Sequence, residues 1–130
     1  MVSRKSISGG LICLGLIASG ADVSAHHSTA MFEWGKEKAI EGTVDKWEWT
    51  QPHTFLWVKV LDSSGVAQLY GLEGMSPSWL GRHGWSNHSF AAGDKVKVAL
   101  YPLRDGRLGG FYLRVTRNGQ TLEALPQQVP

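Results

Sequence analysis

From Ala39 onward the chain alternates apolar and polar residues with a period of two, the pattern of strands whose successive side chains point to opposite faces. In the first such run, Ala39 to Trp49, the residues Ile40, Gly42 and Val44 share one face, and Trp47 and Trp49 then take the opposite parity. A parity switch inside a strand predicts a β-bulge near Asp45-Lys46. Gln51-Pro52 breaks the run. A second strand follows from Thr54 to Leu61, where Leu56, Val58 and Val60 alternate with Phe55, Trp57 and Lys59, so both faces are expected to be partly buried. Asp62-Ser63-Ser64-Gly65 is a turn by composition and leads into a third strand from about Ala67 to Leu72.

The period then changes. Ser76 can cap free backbone amides and Pro77 is tolerated in a first helical turn, while Gly84 supplies a stop, so a short helix is predicted over Pro77 to His83. Two further strands run from Lys95 to Tyr101 and from Gly110 to Thr116, and Asn118-Gly119 has the composition of a type I′ hairpin turn. Val96, Val98 and Phe111 are expected in the core. Three strands, a helix and two strands is the element order of the OB-fold. The predicted class is therefore all-β with a small inserted helix: an OB-like five-stranded antiparallel barrel whose one short helix lies between strands 3 and 4. A plain antiparallel sandwich or an SH3-like barrel is the alternative.

The residues before this domain read as an export signal. Arg4 and Lys5 precede a short apolar run, Leu11 to Ala18, and Val23 and Ala25 occupy the −3 and −1 positions that signal peptidase accepts. The apolar run is shorter than the roughly 20 residues of a membrane-spanning helix. Cleavage after Ala25 divides the chain into a signal peptide (1–25), an amino-terminal arm (26–38), the barrel (39–125) and a disordered tail (126–130). A periplasmic or secreted protein with no transmembrane segment in its mature chain is expected. Cys13, the only cysteine, lies in the apolar run and leaves with the leader. No disulfide is then available, and packing, supplied by six tryptophans that all follow residue 25, must hold the domain. Eleven basic residues face ten acidic ones after residue 25, a balance that recruits no polyanion and argues against a nucleic-acid partner.

Several blocks prompt a comparison. His26-His27-Ser28-x-x-Met31-Phe32, Glu41-Gly42-Thr43-Val44, Trp49-Thr50-Gln51-Pro52-His53, Ser76-Pro77-x-x-Leu80-x-Arg82-x-Gly84-Trp85, Gly93-Asp94 and Pro102-Leu103-Arg104-Asp105-Gly106 follow one another along the chain. In this order the chain resembles a family of small exported bacterial proteins known only as a domain of unknown function. The resemblance implies an exported single domain and names no reaction, so chemistry has to be read from the residues.

Cleavage after Ala25 would make His26 the first residue of the mature chain, with His27 next to it. A free α-amine ordinarily titrates near about 7.7 to 8 and an imidazole near about 6.5, so both offer neutral nitrogens to a metal close to neutral pH. An open, nitrogen-rich site favours Cu(II) among the first-row divalent metals. His53 follows Pro52 in the loop between the first two strands, at the mouth of an OB barrel, where an arm folded across the barrel would bring the terminus. The predicted metal ligands are His26, His27 and His53, and copper is the expected cofactor. The arrangement resembles the histidine brace of exported copper-binding proteins. Against it stands adventitious binding of Cu(II) or Ni(II) by an exposed His-His terminus, with His53 bonded only to a turn carbonyl. His83, near a helix end, and His88, in a polar loop, read as structural or solvated.

No paired carboxylates, nucleophile-base order or phosphate-cradling loop is present, and Gly109-Gly110 matches no nucleotide fingerprint, so a catalytic role has little support. Two functions follow. One is an exported copper-binding protein whose partner is a copper-handling protein of the periplasm or membrane. The other is a metal-free binding module whose face around Trp49, Trp57, Tyr70 and Arg104 recognises a partner protein or glycan.

Overall fold

The structure is a computed structural model that describes residues 29–125. The predicted leader, His26, His27 and the tail from 126 to 130 lie outside the described residues. A 3-10 turn (Thr29–Met31) opens the described chain. It is followed by β1 (Lys38–Glu48), β2 (Phe55–Leu61), β3 (Ala67–Glu73), the helix α1 (Pro77–Gly81), β4 (Lys95–Pro102), β5 (Gly109–Arg117) and β6 (Gln120–Glu123). Among the described residues no helix is long and apolar enough to cross a membrane.

The strands form one sheet in the order β3-β2-β1-β4-β5-β6, and an additional pairing of β3 with β5 closes the first five into a barrel. That seam departs from the purely antiparallel barrel that the sequence suggests. Strands β3 and β5 run parallel, with Gly71 opposite Gly109 and Glu73 opposite Phe111. The reason is arithmetic: five strands in a ring cannot alternate direction all the way round, so one pair must run the same way. The seam is tight as well as parallel. A Cβ on Gly109 would meet the Gly71 carbonyl oxygen at 2.6 Å, so the glycine serves backbone approach rather than any phosphate.

Local predictions are met where their causes are local. In the β1–β2 ladder Val44 faces Val58 and Lys46 faces Trp57, which leaves Asp45 as the extra residue of a bulge at the parity switch. The Ser76 side chain accepts from the Trp79 amide at 3.3 Å and Pro77 starts α1, which ends at Gly81 rather than His83. Asn118 and Gly119 take φ values of 51° and 74°, both in the left-handed region, as a type I′ turn requires. The hairpin they close adds β6, a strand beyond the five predicted.

Two clusters of buried side chains result. The barrel interior is filled by Ile40, Val44, Leu56, Val58, Leu72, Val96, Val98, Leu100, Tyr112 and Val115, and Leu80 of α1 with Trp85 and Phe90 plugs one end. A smaller cluster, Phe32, Ala99, Phe111 and Leu113, sits on the outside of β4 and β5. Val96, Val98 and Phe111 are buried as expected.

Tyr112 is wholly enclosed, and its hydroxyl is bonded to Thr54 Oγ1, which in turn donates to the Met75 carbonyl at 2.8 Å. Burial pushes the Tyr112 phenol far above its ordinary range, while the Thr54 hydrogen bond acts in the opposite sense. The folded state therefore keeps Tyr112 neutral where the unfolded chain ionises. Its contribution is complete below about pH 10 and is lost as pH rises beyond that. Tyr112→Phe is expected to flatten this alkaline loss, measured by urea unfolding from about pH 8 to about pH 11.

Candidate functional site

The amino-terminal arm is not a loose tether. Phe32 forms a bridge with Leu103, the Glu33 amide donates to the Pro102 carbonyl at 2.8 Å, and the Arg104 amide donates to Met31 at 2.9 Å. Arg104 also donates from Nε to the Ala30 carbonyl at 2.9 Å, and the Trp34 indole donates to Thr29 at 2.6 Å. Aromatic contacts complete the attachment. Phe32 and Trp34 each lie 5.5 Å from the Phe111 ring, and Trp34 lies 5.2 Å from Tyr101. The chain is therefore pinned across the outer face of β4 and β5 right up to Thr29. From there, the three residues back to His26 reach at most about 10 Å.

His53 sits in the β1–β2 loop, whose shape is set by short contacts. The Gln51-Pro52 bond is cis, Thr50 Oγ1 donates to the His53 carbonyl at 3.1 Å, and Gln51 reaches Ser78 of α1 at 3.2 Å. Thr54 exchanges backbone bonds with the end of β3: its amide donates to Met75, and the Gly74 amide donates to its carbonyl at 2.9 Å. Because Thr54 turns inward to Tyr112, His53 on the other parity turns outward, where its Nδ1 contacts a Glu73 carboxylate oxygen. The Glu73 side chain is 15% exposed and that of His53 39%.

Glu73 was not legible as a site residue in the sequence. Its only signal there is a carboxylate at a strand end, and the contact with His53 comes from the pairing of Phe55 with Glu73 across β2 and β3. The same position in the parallel seam faces Phe111, the ring that carries the arm. His53, Glu73 and the anchor of the amino terminus thus share one outer face of the barrel. Among the described residues no group of three or more histidine, cysteine or acidic side chains is placed to hold a metal.

The remaining candidates are scattered. The His83 ring stacks on Trp79 at 4.6 Å, with its Nδ1 2.8 Å from the Trp79 carbonyl, and the amide of His88 donates to Ser86 Oγ at 3.1 Å. Neither joins His53. Trp49 packs with Trp47 against the barrel core, and Tyr70, paired with Val58 on the inward parity, lies under the Lys38 ammonium. Trp57 faces outward, stacked beside Phe55, and covers Gly71. Arg104 holds the arm. The four residues proposed as a ligand face therefore do not gather: Trp49 and Tyr70 are half-buried against the core, Trp57 faces outward and Arg104 lies in the β4–β5 loop.

A model of the family of unknown function DUF6152 matches residues 14–113. The chain belongs to this family. The matched stretch takes in His26, His27, His53, Glu73 and the arm contacts of Phe32 and Arg104. No curated protein and no solved structure matches the chain.

Proposed function

We propose that this family member is an exported protein that binds one Cu(II) through the α-amine and imidazole of a mature His26 together with His53, with His27 as an additional donor. The observation that carries the reading is the pinned arm. Unanchored, a terminal histidine pair is a generic chelator; here the described chain is fastened up to Thr29, three residues after His26, through Phe32, Trp34 and Arg104. For the arm from Thr29 onward, the ordering entropy that a free tail would lose on closing a site is already spent in folding. The reading requires export with cleavage after Ala25, the step that would create the amine. A periplasmic or membrane copper-handling protein is the partner that such a site would serve.

The deciding experiment is a Cu(II) titration of protein purified with its native amino terminus. His53→Ala is expected to weaken binding and His88→Ala to leave it unchanged. Silence of His53→Ala would reduce the terminus to an adventitious ligand.

One observation favours a second reading, a metal-free binding module. The outer face of β2 and β3 carries the Phe55–Trp57 stack, with Leu61 and Leu69 exposed beyond it. Binding of a glycan or partner protein there would survive both removal of copper and His53→Ala.

A further inference from the structure

We propose that a second copy of this chain adds to the barrel at the open edge of β3, in an antiparallel seam whose two-fold axis lies at Gln68. The inference rests on neither reading of function above. The β2–β3 ladder runs without a bulge, and an antiparallel ladder alternates pairs that exchange backbone hydrogen bonds with pairs that do not. At one end the Asp62 amide donates to the Val66 carbonyl at 2.9 Å, and at the other the Gly74 amide donates to the Thr54 carbonyl at 2.9 Å. Gln68, Tyr70 and Leu72 share the parity of Val66 and Gly74, so their backbone groups are spent on β2. Ala67, Leu69, Gly71 and Glu73 turn theirs the other way. Gly71 and Glu73 meet β5 in the parallel seam, whereas Ala67 and Leu69 lie before that seam begins. Among the described residues no strand and no loop backbone bonds to them on that side.

Strand edges are ordinarily blunted by charge, proline, a bulge or a cover. At β6, the far end of the strand order, the Trp79 indole donates to the Ala124 carbonyl at 2.9 Å and the Trp85 indole to the Glu123 carbonyl at 3.0 Å. The β3 edge has no such guard. From Val66 to Leu72 it carries neither charge nor proline, and Leu61, Val66 and Leu69 around it are exposed. Neutrality favours a self-pair, because a two-fold seam sets an edge against itself and like charges placed opposite one another are destabilising. The free groups also select the register. An axis at Leu69 would bring Ala67 against Gly71, which β5 already holds. An axis at Ala67 would bring Leu69 against Gly65, whose amide is spent on Asp62 in a turn with φ of 82°. An axis at Gln68 sets Ala67 opposite the partner's Leu69 and pairs all the free groups of both copies. It also places Leu69 in one outward row with the partner's Ala67 and the partner's Leu61. The seam involves far fewer than the roughly 20 to 30 residues a side of a stable interface, so the dimer is expected to form and dissociate with concentration.

The test uses the full mature protein, with sedimentation velocity and amide hydrogen exchange measured across a range of concentrations. A dimer is expected to grow in with concentration, and the Ala67 and Leu69 amides to become protected as it does. Ala67→Pro removes a donor that β2 does not use, since proline is tolerated where a strand's N–H faces outward. It is expected to leave the unfolding midpoint unchanged and to abolish the dimer. Gln68→Cys reads the register without removing any backbone bond. Across the axis the two Gln68 residues form a pair that exchanges no hydrogen bonds, with Cα atoms about 4.5 Å apart, inside the range that a disulfide spans. Gln68→Cys is therefore expected to cross-link on oxidation. Leu69→Cys, offset from its own copy by two residues along the strand, is expected to stay reduced under the same conditions. A protein that stays monomeric throughout, with Gln68→Cys no quicker to cross-link than Leu69→Cys, overturns the proposal. A dimer that Ala67→Pro leaves intact, with Gln68→Cys failing to cross-link, assigns association to another surface and overturns it too. Protection of the Ala67 and Leu69 amides that does not vary with concentration gives the edge to a segment of the same chain and excludes the second copy.

Discussion

Truncation of Phe111 to Ala is expected to lower the unfolding free energy by about 3 to 5 kcal/mol, the range for emptying a buried aromatic position. Phe111 is 7% exposed and lies at the centre of the outer cluster, against Phe32 and Trp34 of the arm and beside the ring of Tyr112. A cavity there cannot be filled by inward collapse, because the β4–β5 ladder behind it is a hydrogen-bonded wall. The loss would therefore fall partly on the arm. Urea unfolding should show a lower midpoint with an unchanged slope if the barrel still unfolds as one unit. Hydrogen exchange at the Glu33 amide should accelerate beyond the global change. A loss below about 1 kcal/mol, the centre of the ordinary range for single substitutions, would show that the arm does not use Phe111 as its anchor.

Retention of a single residue, Ala25, ahead of His26 is expected to weaken Cu(II) binding by more than the roughly 10- to 100-fold that disturbing the outer partner of a metal ligand costs. The retained residue turns the His26 amine into an amide and moves the new amine one residue away. One ligand is lost outright and the chelate ring that it closed is broken. Nothing else in the described structure changes, because the arm contacts begin at Thr29. The unfolding midpoint of the metal-free extended protein should therefore match that of the native one, which separates loss of a ligand from loss of fold. Equal titrations by the two forms would leave the outer aromatic face of β2 and β3 as the better account of function.

The two effects have a common origin in the arm, and the arm is where the sequence is least readable. Met31, Phe32 and Trp34 form no period of two or of 3.6, so pattern alone assigns them to no element. Their docking depends on rings from β4 and β5 that lie some seventy residues away, as the Arg104 bond to Ala30 shows with a separation of 74. Glu73 is silent for the same reason. A carboxylate closing a strand looks solvated until the β2–β3 register places His53 beside it.

What the sequence by itself determined is everything whose cause lies within a few residues. The parity switch at Asp45 became a bulge, Ser76-Pro77 became a capped helix, Asn118-Gly119 became a tight turn, and the alternating positions Val96, Val98 and Leu100 of β4 became core. Backbone sterics, capping and two-residue periodicity act at that range and carry their signal in local residue order. Only the tertiary structure decided the parallel closure of β3 on β5, the seat of the arm on Phe111 and the pairing of His53 with Glu73. Each of these brings together groups far apart in sequence, and which partners meet is set by barrel closure and ladder register, quantities that no single segment encodes.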